Sequence, residues 1–129
     1  MKTIICLLSS LLISSMVIAH ENLERIGQCF VADGKNITKA CVISSGNVAG
    51  GKYTLLTIGE KEYLIEESIV NLESQERSIS MGSDSDELLE AVDYYRDGKT
   101  KKVIKNYKDD SWSCYSQIKG KLDVCYRIR

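Results

Sequence analysis

Two cysteine-bounded stretches decide the expected fold: residues 29–41, CFVADGKNITKAC, and residues 114–125, CYSQIKGKLDVC. Each places glycine-containing turn residues midway between two β-prone arms, the first turn centred on Lys35. A hairpin in each stretch sets its first cysteine directly across from its last, and opposed residues in antiparallel strands lie close enough for a disulfide. We therefore expect two disulfides, Cys29 with Cys41 and Cys114 with Cys125.

Zinc binding and thiol redox chemistry are the alternatives for these four cysteines. Zinc-ligand pairs usually have two to four intervening residues, whereas these pairs have eleven and ten. There is no Cys-x-x-Cys motif of the redox type. The spacing favours disulfides, and no metal ligands or cofactors are expected.

The N-terminal stretch predicts export. Lys2 precedes an apolar run from Ile4 to Ile18, and small or short residues at 17–19 suit a signal peptidase, so residues 1–19 are expected to be a signal peptide. The apolar run has about 15 residues, fewer than the roughly 20 that span a bilayer, so no membrane span is expected. A periplasmic or secreted location follows, with residues 20–129 as a single disulfide-stapled domain.

The rest of the body predicts an α+β fold. Residues 53–58 and 62–67 read as a second hairpin, and the first of its strands is apolar on both faces. Ser83 precedes acidic residues, and Leu88, Val92 and Tyr95 recur at helical spacing, which predicts a helix over residues 84–96. We therefore expect an antiparallel β-sheet of about six strands with one main helix, and with the two stapled hairpins near opposite ends of the sheet.

Few residues suit catalysis. His20 is the only histidine and would become the first residue after cleavage, so it is a poor general base for a nucleophilic triad. Glutamates on the second hairpin could supply an acid/base pair, but carboxylates on such strands usually form a solvated face. The chain is therefore expected not to be an enzyme.

Charge is strongly segregated along the chain. Residues 60–90 contain ten acids and two bases, a net of −8, whereas residues 96–129 contain ten bases and four acids, a net of +6. The two regions could compensate each other or present recognition surfaces. Alternation along the second hairpin puts its candidate protein-binding carboxylates on one face, and these are Glu60, Glu62 and Glu66.

The basic region offers a second candidate surface, because cations interleaved with aromatic rings can bind polyanions through ion pairs and stacking. Its candidate residues are Lys99, Lys101, Lys102, Lys105, Lys108, Tyr107 and Trp112. The near-neutral overall charge argues against a nucleic-acid partner.

The stretches 112–115 and 123–126 resemble the disulfide-bonded C-terminal hairpin of many small bacterial periplasmic proteins. Export, small size and the acidic segment favour a non-enzymatic module of the inhibitor or immunity type that binds another envelope or secreted protein. The alternative is an exported binder of an anionic glycan, lipid or other polyanion through residues 99–108. The sequence makes no prediction of oligomeric state.

Overall fold

The computed structural model describes residues 23–84 and 86–128, which form β-strands and contain no helix. The strands are Leu23–Val31 (β1), Lys39–Val48 (β2), Gly51–Ile58 (β3), Lys61–Asn71 (β4), Glu76–Ser83 (β5), Leu89–Arg96 (β6), Val103–Ile104 (β7), Trp112–Gln117 (β8) and Asp123–Ile128 (β9). The predicted signal peptide, residues 1–19, lies outside the described residues.

Eight of these strands form a closed antiparallel barrel. Around the barrel the order is β1, β2, β3, β4, β5, β6, β8 and β9, and β9 pairs with β1 to return to the start. The short strand β7 pairs only with the end of β6 and is the ninth strand, outside the ring. Closure leaves few free strand edges, which limits edge-to-edge association.

Alternating side chains fill the barrel interior. Along β4, Tyr63, Ile65 and Glu67 are buried, whereas the residues between them face outward. The same alternation in the other strands builds one inner core, whose largest fully buried members include Leu56, Ile65, Met81 and Val124. The second predicted hairpin is confirmed as β3 and β4, joined by a turn at Gly59 and Glu60.

The predicted helix over residues 84–96 is wrong, and with it the α+β class. Residues 89–96 form β6, which pairs with β8 along Ala91–Arg96. The spacing of Leu88, Val92 and Tyr95 suggested a buried helical stripe, but Val92 is exposed and the buried residue is Ala91. Pairing with a neighbouring strand overrides a weak helical pattern, because helical stability in proteins comes mainly from burial of one face.

The residues read as a helix cap build the β5–β6 turn instead. The Asp84 backbone N–H donates to the carbonyl of Glu62 at 2.9 Å, and the Asp84 side chain accepts from the Glu62 N–H at 3.1 Å. Asp84 has φ of 51°, a left-handed conformation that aspartate tolerates in turns. Short polar side chains suit helix caps and turns alike, so the sequence pattern did not distinguish the two.

Both predicted disulfides, Cys29–Cys41 and Cys114–Cys125, are confirmed. Cys114 lies directly opposite Cys125, as expected. The first pair is diagonal: Cys29 is opposite Lys39, because the β1–β2 register places the turn one residue earlier than Lys35. The two stapled hairpins are neighbours, since β1 pairs with β9, and the expectation of opposite ends was wrong.

A second cluster of buried side chains covers the outer side of β1, β8 and β9. Phe30, Trp112, Cys114 and Cys125 form this outer cluster, with Ala32 and Tyr94 packed against it. Residues 97–111, which connect β6 to β8 and which we call the flap, contact this cluster through Lys101, whose Nζ lies 4.6 Å from the Phe30 ring centroid. The second disulfide therefore belongs to a small core outside the barrel.

Candidate binding surfaces

The outward face of β4, β5 and β6 carries a row of carboxylates that we call the acidic wall: Glu62, Glu66 and Glu90. Glu66 is opposite Ser80 on β5, and Ser80 is in turn opposite Glu90 on β6. The backbone positions of Glu66 and Glu90 are thus two strand spacings apart, about 10 Å. Glu62 lies further along β4, and Glu60 lies in the turn before it.

The acidic wall is not neutralised by the basic end of the chain. Ion pairs in the described part of the chain join Glu67 to Lys52 and Arg77, Arg77 to Asp93, and Arg96 to Asp123. Among residues 23–84 and 86–128, none of the predicted carboxylates Glu60, Glu62 and Glu66 has an ion-pair partner. The wall therefore presents its charge to solvent.

An aromatic side chain adjoins the acidic wall. Tyr53 on β3 is directly opposite Glu66, and across the other side of β3 it is opposite Gly46 on β2. A Cβ at Gly46 would lie 2.7–2.8 Å from ring atoms of Tyr53, so the ring packs on the bare backbone of the glycine. This packing fixes an aromatic ring, of a residue type that is enriched in protein interfaces, beside a solvent-facing carboxylate.

A polar cluster occupies one end of the barrel. The side chain of Glu67 is 4% exposed, and its two oxygens pair with Lys52 Nζ and Arg77 Nη1, each at 3.2 Å. The Tyr115 hydroxyl donates to Glu67 at 3.5 Å, and Arg77 Nη2 pairs with Asp93 at 3.0 Å. Two cations compensate the buried carboxylate, as the cost of burying charge requires.

Burial and this pairing shift several pKa values. The hydrogen bond to Asp93 raises the pKa of Arg77, and burial raises the pKa of Tyr115 and of Tyr126, so the arginine is charged and both tyrosines are neutral.

A cavity of about 360 Å³ opens beside the cluster, lined in part by Lys52, Glu67 and Arg77. Its charged groups are already paired with one another.

Two residues predicted for polyanion binding are structural instead. Trp112 is fully buried, with its ring edge-on to Phe30 at 4.7 Å and the Arg127 guanidinium 4.0 Å from its centroid. Lys101 Nζ lies 4.6 Å from the Phe30 centroid and donates to the backbone carbonyl of Asn36. Burial lowers the pKa of Lys101. Lys101 thus connects the flap to the outer cluster, of which Trp112 is a member, and both side chains are engaged in contacts within the protein.

The remaining predicted basic residues lie exposed on the flap or at its start. They are Lys99, Lys102, Lys105 and Lys108, together with Tyr107, whose ring packs edge-on against Tyr95 at 5.5 Å. Asp97 fixes the start of the flap by accepting hydrogen bonds from the backbone N–H groups of Thr100 and Lys99, which lower the pKa of its carboxyl group.

The structure adds residues that the sequence reading did not single out. Glu67 shares its strand face with Tyr63 and Ile65, so the alternation already indicated that it points inward. Arg77 and Asp93 gave no such signal, since they meet only when β5 and β6 close the barrel. Glu90 was not recognised as a neighbour of Glu66 because residues 84–96 were predicted to be a helix. In a helix, Glu90 would not lie on the same sheet face as Glu66.

Within the described ranges, no group of three or more histidine, cysteine, aspartate or glutamate side chains is placed to hold a metal ion. The described part of the chain also contains no helix with the length and apolar character that crossing a bilayer requires. The two disulfides are compatible with an oxidising compartment.

Comparisons of the chain with protein-family models, with curated proteins and with solved structures gave no match.

Proposed function

We propose that this chain is a small exported, non-enzymatic protein-binding module of the inhibitor or immunity type, which acts in the periplasm or outside the cell on a cationic partner. The observation that carries the proposal is the acidic wall, in which Glu62, Glu66 and Glu90 face solvent from one side of the barrel. Uncompensated charge of one sign steers association with a partner of the opposite sign.

The scaffold supports this proposal. Eight closed strands and two disulfides give a rigid platform, and rigid platforms lose little conformational entropy when they bind. The inward-facing carboxylate Glu67 is paired, whereas the carboxylates of the acidic wall have no ion-pair partner among the described residues. Tyr53 adds an aromatic contact of the type that contributes strongly to interfaces.

Calorimetric titration with three cationic probes, pancreatic ribonuclease A, egg-white lysozyme and cytochrome c, tests the proposal at about 20 mM and about 300 mM salt. We expect at least one of the two enzymes, ribonuclease A or lysozyme, to bind the protein. Its affinity should be lower at the higher salt concentration. The double reversal Glu62→Lys with Glu66→Lys should weaken that binding about tenfold or more.

The matched control reverses two exposed acids away from the wall, Glu24→Lys with Asp109→Lys, which produces the same net charge. This control variant should bind the probe with an affinity within about threefold of that of the unmodified protein. Equal loss in both double variants would mean that only net charge matters, and would contradict a localised acidic wall. Absence of binding by every probe would overturn the proposal for cationic enzymes.

A second candidate function, polyanion binding, is supported by the four exposed lysines of the flap beside Tyr107. Lys101 and Trp112 no longer belong to it. Heparin affinity chromatography tests it: Lys102→Glu with Lys105→Glu and Lys108→Glu should abolish retention, whereas the charge-matched Lys61→Glu with Lys119→Glu and Lys121→Glu should not. Lack of retention of the unmodified protein would exclude this candidate.

A further inference from the structure

The β4–β5 hairpin ends in an exposed apolar tip. Ile69, Val70 and Leu72 are 45%, 61% and 79% exposed, three aliphatic side chains within four residues. Isolated exposed aliphatic residues are ordinary on protein surfaces, but a group at the end of a hairpin indicates an interaction site.

A β-bulge sets the direction of this tip. The β4–β5 register passes from Ile69 opposite Arg77 to Asn71 opposite Glu76, so Val70 has no partner on β5. An extra residue in one strand bends that strand and redirects its side chains. Without the bulge, strict alternation would place Ile69 and Val70 on opposite faces of the hairpin.

Hydrogen bonds within the turn hold the tip in one conformation. Asn71 Oδ1 accepts from the backbone N–H groups of Glu73 and Ser74, at 2.9 Å and 3.3 Å. The Gln75 side-chain amide donates to the Leu72 carbonyl at 2.8 Å. The Ile69 N–H donates to the Gly50 carbonyl at 3.2 Å, which attaches the hairpin to the β2–β3 turn. The apolar side chains are therefore held in solvent by a defined backbone.

The charge around the tip selects the kind of surface that it fits. Residues 66–76 contain four glutamates and no basic residue. The cations Lys52 and Arg77 are balanced by Glu67 and Asp93, which leaves the carboxylates of Glu66, Glu73 and Glu76 uncompensated near the apolar tip. Such a surface is repelled by anionic lipids and polyanions and is complementary to an apolar cleft with a basic rim.

We propose that the β4–β5 hairpin is the element that enters the partner, with Val70 and Leu72 filling an apolar cleft whose rim carries lysine or arginine. This inference rests on the proposed protein-binding function and names the inserted element. The acidic wall and the tip share one strand, because β4 carries Glu62 and Glu66 and ends in the tip residues Ile69 and Val70. The wall steers the encounter, and the tip supplies the apolar contact that slows dissociation.

The experiment compares Val70→Ser with Leu72→Ser, as one double variant, against Ile26→Ser with Val103→Ser, whose side chains are similarly exposed elsewhere. Titration with the enzyme probe that binds the unmodified protein should show a loss of affinity of about tenfold or more for the tip variant, and less than about twofold for the control. The salt dependence should be unchanged, because no charge is altered.

The possible results separate the two proposals. If the tip variant binds as tightly as the unmodified protein, the proposal that the β4–β5 hairpin inserts into the partner is overturned. The proposal that the acidic wall binds the partner is unaffected by that result. Failure of every probe to bind the unmodified protein overturns both. A test without a partner is ¹⁵N relaxation of residues 69–75: order parameters near about 0.85 are expected, and values below about 0.6 would overturn a preformed tip.

Discussion

Arg77 on β5 and Asp93 on β6 face each other where these two strands close the barrel. Their side chains meet beyond the last backbone pair between the two strands. β5 and β6 pair only through Ser80 with Glu90 and Met81 with Leu89. Continuing that register would put Arg77 opposite Asp93, and Arg77 Nη2 lies 3.0 Å from the Asp93 carboxylate. Since Arg77 also pairs with Glu67, one side chain connects β4, β5 and β6.

Replacement of Arg77 should therefore destabilise the barrel locally. Arg77→Ala leaves the buried Glu67 with Lys52 as its remaining cation, and we expect a loss of about 1–3 kcal/mol in the free energy of unfolding. Amide hydrogen exchange should increase most in β5 and β6. Lys52→Ala, which removes the more exposed partner of Glu67, should cost less than about 1 kcal/mol. Equal losses of unfolding free energy in Arg77→Ala and Lys52→Ala would contradict the proposed connection of β4, β5 and β6 by Arg77. So would a uniform increase in amide hydrogen exchange across all strands of Arg77→Ala.

Trp112 should contribute strongly to stability even though its side chain packs in the outer cluster and not in the barrel interior. It is fully buried between Phe30 and Arg127, so Trp112→Ala should lower the free energy of unfolding in urea by about 3–5 kcal/mol. Tyr107→Ala removes an exposed aromatic residue of the flap and should cost at most about 1 kcal/mol. A small effect at Trp112 would mean that the outer cluster is not a core.

The stability of the protein should fall at high pH, in part through Tyr94. Burial, followed by its hydrogen bond to Asp123, raises the pKa of Tyr94 to about 12 from an ordinary value of 10. The folded state therefore retains a proton that the unfolded state loses. The contribution of Tyr94 is complete below pH 10 and is lost as the pH rises to about 12.

Thermal unfolding between pH 9 and about pH 12 measures this effect. Tyr94→Phe should reduce the decrease in Tm over that interval relative to the unmodified protein. Tyr107→Phe is the control and should leave the decrease unchanged, because this tyrosine is exposed. An identical pH dependence in the unmodified protein and in Tyr94→Phe would contradict the shifted pKa.

The two disulfides should stabilise the protein by similar amounts. They span sequence separations of 12 and 11 residues, for which loop closure predicts about 3 kcal/mol each. Cys29→Ala with Cys41→Ala, and Cys114→Ala with Cys125→Ala, should therefore shift the urea midpoint comparably. A difference of more than about 2 kcal/mol would show that packing of the cysteines, and not loop closure, dominates.

Local patterns predicted the hairpins well. Turn residues between β-prone arms located β1 with β2, β3 with β4 and β8 with β9, and cysteine spacing gave both disulfides. The failures involve contacts distant in sequence. β6 is a strand because β8 lies beside it, and β1 pairs with β9 although the two strands are about 100 residues apart.

The surface residues show the same limit. Alternation along β4 correctly separated outward Glu62 and Glu66 from inward Glu67. Spacing along the basic region gave no indication that Lys101 and Trp112 both pack on Phe30, because these contacts join segments about 70–80 residues apart. Local sequence thus predicts which way a strand residue points, but not what a connecting segment covers.

The measurement that tests the proposed binding surface most directly is NMR mapping of backbone amide shifts while the ¹⁵N-labelled protein is titrated with the enzyme probe that binds it. Shifts concentrated in the outward residues of β4, β5 and β6 and in the 69–75 tip are the predicted result. Shifts concentrated in the flap, or at the β1–β2 and β8–β9 turns of the opposite barrel end, would contradict the acidic wall as the binding surface.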